Sequence, residues 1–100
     1  MRILTLVASG QPEANLESAR YFFENNSRIE KIAIFASVHM TQTGAATGLK
    51  QIIEPLYHGA IEIIDVPNGI EEENLQELEQ LILTWMKQQP AFSTYLFNVT

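Results

Sequence analysis

The chain of 100 residues contains no cysteine and few cations. The lack of cysteine excludes disulfides, zinc–thiolate sites and cysteine nucleophiles, and it fits a reducing compartment. Six Lys and Arg stand against twelve Asp and Glu, which gives a net charge of −6. Because the six cations are scattered along the sequence, no basic stripe is available to follow a nucleic-acid backbone. We therefore expect no long DNA or RNA to bind this domain.

Long apolar runs are also missing. The apolar segment that follows Arg2 is too short for a secretory signal, and no other segment is long enough to cross a bilayer. We expect a cytoplasmic protein that does not contact a membrane. Glu71-Glu72-Glu73 suggests a metal site, but acidic residues are also favoured in the first turn of a helix. We adopt the helical interpretation and expect neither a metal nor a cofactor.

Four short apolar segments alternate with three segments of helical periodicity, and 46% apolar residues suffice for the core of one domain. Strands are predicted at residues 2–8, 31–36, 61–66 and 94–99. Helices are predicted from Pro12 or Glu13 to Glu24, from near Thr43 to Pro55, and from Glu71 to Gln89. This βαβαβαβ order predicts an α/β fold, a three-layer Rossmann-like parallel sheet with strand order 3-2-1-4. The first two helices would cover one face and the third helix the other.

The loop after the first strand is the clearest candidate for a binding site. Sheets of this kind bind ligands at the carboxyl ends of the strands, where the strand order reverses, and strands one and four are neighbours there. The helix start leaves free backbone N–H donors that suit an anionic or polar ligand. The loop matches neither GxGxxG nor a P-loop, which disfavours a dinucleotide or the hydrolysis of a nucleoside triphosphate. The residues predicted to bind are Ser9, Gly10, Gln11 and Asn15.

Polar residues that follow two other strands complete the predicted site. His39 and Thr41 come after the second strand, and Asn98 and Thr100 end the fourth. The alternatives are that His39 is a loop histidine without a role and that Thr41 belongs to a helix cap. Asp65, at the end of the third strand, would hold a hydroxyl group or cap the next turn. We assign no catalytic residue, because Ser9 has no histidine or acid at a spacing that suggests a triad.

The fourth predicted strand would lie at the edge of the sheet and carries no charge. Uncharged edges need cover from further chain or from a partner. We therefore expect either an obligate oligomer or, in preference, the N-terminal part of a longer protein that is truncated after strand four.

Two segments resemble a known family. ILTLVASGQPEANL at 3–16 and YLFNVT at 95–100 are similar to CARF (CRISPR-associated Rossmann fold) domains of the branch fused to restriction-endonuclease-like nucleases. The resemblance implies a homodimeric sensor of cyclic oligoadenylates, chiefly cyclic tetra-adenylate, in type III CRISPR antiviral defence. In the family, the ligand lies across the dimer axis and its binding activates the attached nuclease. The family's Gly-Gly-Thr-Lys turn, with a lysine for a phosphate, would follow Thr100.

By position, Ser9, Gly10, Gln11 and Asn15 match the family's first binding loop, and Asn98 and Thr100 match the strand that leads to the second. The chain itself is then expected to sense the ligand rather than to act as an enzyme. One alternative is a ring nuclease, in which His39 or Ser9 positions a ribose 2′-hydroxyl for cleavage of the ring. The other is a small α/β interaction domain without a ligand.

Overall fold

Four parallel strands form one sheet in the order β3-β2-β1-β4, which confirms the predicted α/β fold and strand order. The computed structural model describes residues 1–8, 12–25, 28–66 and 75–97. A short 3-10 turn spans Glu54–Leu56. The elements are β1 (Arg2–Val7), α1 (Pro12–Glu24), β2 (Lys31–Ser37), α2 (Val38–Gln42), α3 (Ala45–Ile53), β3 (Ala60–Val66), α4 (Leu75–Lys87) and β4 (Thr94–Phe97).

The two central strands carry the core. Residues 3–6 of β1 and 32–36 of β2 are all buried, as expected for strands that are covered on both faces. The edge strands β3 and β4 are only partly buried, apart from Val66. The near-continuous apolar sequence of the first two strands therefore marks them as the centre of the sheet.

Helices cover the two faces of the sheet unequally. On one face, α1 and α3 contribute Ala19, Leu49 and Ile53 to a cluster with the buried side chains of β1 and β2. On the other face, α4 alone contributes Trp85, whose ring packs edge-to-face against Phe35 at 5.3 Å between centroids. The predicted distribution of helices between the faces is correct.

The predicted helix from near Thr43 to Pro55 corresponds to α3, which begins at Ala45, and to the 3-10 turn that follows it. The prediction missed α2, which begins at Val38, where Ser37 Oγ accepts a hydrogen bond from the backbone N–H of Met40 at 3.4 Å. Gly44 then separates α2 from α3 with a left-handed φ of 79°, which glycine adopts without steric cost. Consequently His39 and Thr41 lie in a helix rather than in a loop.

Two predicted boundaries lie outside the described residues. The predicted end of the fourth strand includes 98 and 99, and the predicted start of the third helix includes Glu71-Glu72-Glu73. The helical spacing of Leu75, Leu78, Ile82, Trp85 and Met86 predicts one apolar stripe on that helix. The last four pack on the sheet, as predicted, whereas Leu75 is 51% exposed. Within the described ranges, no helix has the length and apolar character needed to cross a membrane.

Candidate functional site

The candidate site lies at the carboxyl edge of the sheet, where β1 meets β4. β1 pairs with β2 through Val7 and Phe35 on one side, and with β4 through Thr5 and Phe97 on the other. α1 begins at Pro12, shortly after β1 ends, so the start of a 13-residue helix lies at the same edge. This is the position at which parallel sheets of this order bind their ligands.

Asn15 fastens α1 to the end of β1. Its side chain is only 3% exposed, and its Nδ2 donates a hydrogen bond to the backbone oxygen of Val7 at 2.9 Å. The neighbouring N–H of Ala8 donates to the oxygen of Phe35 at 2.9 Å, which holds the end of β1 against β2. The start of the helix is therefore placed by buried hydrogen bonds. Contact between Asn15 and a ligand stays a prediction.

His39 and Thr41 lie on α2, which continues directly from the end of β2. Both are exposed, and Thr41 Oγ1 donates a hydrogen bond to Asp65 Oδ1 at 3.3 Å. Asp65 thus holds a hydroxyl group that belongs to the protein itself and joins α2 to the end of β3. The sequence carries one signal for this pair: Thr41 follows β2 and Asp65 lies near the end of β3, and these two strands are neighbours in the sheet.

Sequence reasoning missed two apolar side chains at this edge. Val7 is 39% exposed and Phe97 is 47% exposed. Strand register places both on the face that α4 covers, in line with Thr5. Because helix coverage on that face centres on Trp85, it leaves the β1–β4 end accessible. In the sequence, the alternation of Tyr95 and Phe97 along the strand indicates ordinary strand packing and gives no sign of an exposed ring.

Charge at the edge is negative. Glu13 lies in the first turn of α1 and Asp65 lies near the end of β3. The Lys and Arg residues lie elsewhere: at the starts of strands (Arg2, Lys31), in the second half of α1 (Arg20), before β2 (Arg28), and in the last turns of α3 and α4 (Lys50, Lys87). Among the described residues, this edge therefore offers a ligand a helix start, an aromatic ring and hydroxyl groups, but no lysine or arginine.

Five of the predicted site residues lie outside the described ranges: Ser9, Gly10, Gln11, Asn98 and Thr100. The other three, Asn15, His39 and Thr41, lie at the same edge of the sheet, although only Asn15 lies next to β1. Comparison with protein-family models, with curated proteins and with solved structures gave no match.

Proposed function

We propose that this domain senses a cyclic oligoadenylate, with cyclic tetra-adenylate as the first candidate, and binds it as a homodimer in the cytoplasm to control an attached nuclease in type III CRISPR antiviral defence. The proposal starts from the resemblance of segments 3–16 and 95–100 to CARF domains. The location of these segments gives it physical support, because the first contains β1 and leads into α1, and the second contains the end of β4.

The observation that carries the proposal is the pairing of an exposed aromatic ring with a helix start at the switch point. Phe97 ends β4 in register with Thr5, and α1 begins at the same edge. An aromatic face stacks on a nucleobase, whereas the first N–H groups of a helix bind phosphate oxygens. An adenylate carries both kinds of group.

The symmetry of the ligand favours a dimer over a single chain as the binding unit. A ring with four phosphates meets an edge that bears Glu13 and Asp65 and no described lysine or arginine. A two-fold axis would double the number of helix N–H donors and of aromatic rings around one ring. A symmetric ligand is matched by two copies of the same surface.

Calorimetric titration with cyclic tetra-adenylate tests this function. We expect saturable binding, and we expect Phe97→Leu to weaken it by about tenfold, because base stacking on an aromatic ring contributes about 1–3 kcal/mol. Phe92→Leu is the matched control, since Phe92 is fully exposed in the turn between α4 and β4, at the opposite edge of the sheet. The proposal fails if the chain gives no binding heat, or if the two variants weaken binding equally.

A further inference from the structure

The groove between β3 and α4 is separate from the carboxyl-edge site. It has a volume of about 400 Å³ and runs beside the outer side of β3. On the strand it is lined by Glu62, Ile63 and Ile64, and on the helix by Glu77, Gln80, Leu81, Thr84 and Trp85, with Gln88 just beyond the end of α4. At a rise of 1.5 Å per residue the helix covers roughly 12 Å from Glu77 to Trp85, close to the length of a four-residue strand.

β3 offers backbone hydrogen bonds along this groove. It lies at one end of the strand order and, within the described residues, pairs only with β2. An edge strand of seven residues presents a row of N–H and C=O groups to which an extended peptide can pair. A helix that runs beside such an edge adds side-chain contacts to the backbone hydrogen bonds that the edge offers an added strand.

The groove also contains a buried donor. Trp85 lines it, is 4% exposed, and has an Nε1 with no hydrogen-bond partner among the described residues. A buried N–H that lacks an acceptor costs free energy. Ile64 and Leu81 supply apolar surface beside the indole.

The charged residues that line the groove indicate the charge of the peptide that binds there. Glu62 and Glu77 line the groove, and no lysine or arginine does. Lys31 is ion-paired with Glu62 at 2.6 Å and donates a hydrogen bond to Gln89 at 2.9 Å. The two carboxylates and this one lysine leave the groove with a net negative charge. A second copy of β3 would bring Glu62 and Asp65 beside the same acids, which disfavours self-pairing. We propose that this groove binds an extended basic peptide segment of a partner protein, which adds to β3 as a fifth strand.

The single tryptophan of the chain, Trp85, makes binding directly measurable by fluorescence. The probe is the peptide acetyl-Lys-Ile-Lys-Ile-Lys-amide. We expect it to shift the Trp85 emission saturably, and we expect both the Glu-Ile-Glu-Ile-Glu analogue and the backbone N-methylated lysine peptide to bind at least about tenfold more weakly. Equal binding of the acidic analogue would overturn the choice of a basic peptide, and equal binding of the N-methylated peptide would overturn strand addition.

A matched pair of variants locates the peptide. Gln80 lines the groove and Gln76 does not, although both are exposed on α4. Gln80→Lys should weaken the lysine peptide by about fivefold or more, whereas Gln76→Lys, with the same change in net charge, should have a much smaller effect. Equal effects of the two variants would mean non-specific attraction to an acidic protein and would overturn the proposal. If Trp85 emission changed with protein concentration in the absence of peptide, and Gln80→Lys altered that change whereas Gln76→Lys did not, a second copy would occupy the groove, which also contradicts the proposal.

Discussion

Gly48 and Gly59 differ in the space that is available for a Cβ atom. Gly48 lies inside α3, and a Cβ placed there has no neighbour within 4 Å. A Cβ at Gly59 would collide with the ring of Tyr57, which is stacked on Phe23 at 5.6 Å between centroids and is therefore not free to move away. The same substitution should have opposite effects at the two positions.

We expect Gly48→Ala to raise the free energy of unfolding by about 0.5–1 kcal/mol, because alanine has the higher helix propensity. Gly59→Ala should lower it by about 1–3 kcal/mol through overpacking. Urea denaturation followed by circular dichroism measures both values. Equal changes of the same sign would show that the ring of Tyr57 does not occupy the space beside Gly59.

Tyr57 also predicts a response to alkaline pH. Burial, followed by the nearby carboxylate of Glu30, raises the pKa of the Tyr57 hydroxyl above its ordinary value of 10.0. Since the folded protein disfavours the phenolate, this contribution to stability is complete below pH 10 and decreases as the pH rises through the folded pKa. Tyr57→Phe keeps the stack on Phe23 and should remove this decrease. Denaturant titrations of both proteins between about pH 8 and pH 11 measure it, and parallel curves would contradict the prediction.

At the scale of secondary-structure elements, one side chain connects the first helix to the first strand. We expect Asn15→Ala to lower the free energy of unfolding by about 1–3 kcal/mol, because it removes a buried side chain and its part-buried hydrogen bond to the oxygen of Val7. Asn25→Ala is the matched control, since Asn25 Nδ2 also donates to a backbone oxygen, that of Tyr21 at 2.8 Å, but in an exposed position. A cost at Asn15 no larger than at Asn25 would contradict the role of Asn15 in placing α1.

The elements that could be predicted are those whose apolar residues repeat regularly. β2 is buried from Ile32 to Ala36, and α1 has the predicted bounds, since Pro12 suits a helix start. The division between α2 and α3 escaped prediction because it depends on Ser37 and on the left-handed backbone of Gly44 rather than on periodicity. Local conformational choices of this kind leave no apolar pattern in the sequence.

The candidate site was predictable in position but not in composition. Strand order alone identifies the edge between β1 and β4, and this depends only on the alternation of strands and helices. The exposure of Phe97 and the hydrogen bond from Thr41 to Asp65 depend instead on how α4 and α2 pack against the sheet. The groove beside β3 likewise exists only once α4 has packed through Trp85.

At the scale of the whole molecule, the distribution of charge predicts an unusual salt dependence. The net charge is −6, and the described lysine and arginine residues lie away from the carboxyl edge. Recognition of phosphates through backbone N–H groups releases few counterions, while salt screens the repulsion between an acidic protein and an anionic ring. We expect the affinity for cyclic tetra-adenylate to stay constant or to rise by a few-fold between about 50 and 300 mM NaCl. A tenfold loss of affinity in the same titration would instead indicate contacts from lysine or arginine.

The stoichiometry of the complex tests the proposed sensing function most directly. Native mass spectrometry of the 100-residue chain with cyclic tetra-adenylate, and with linear tetra-adenylate as the control, counts chains and ligands in one measurement. We predict a complex of two chains with one ring, formed in preference to any complex with the linear form. The proposed sensing function would be contradicted if the chains stayed without ligand at a large excess of the ring. It would also be contradicted if they bound the ring and the linear form equally.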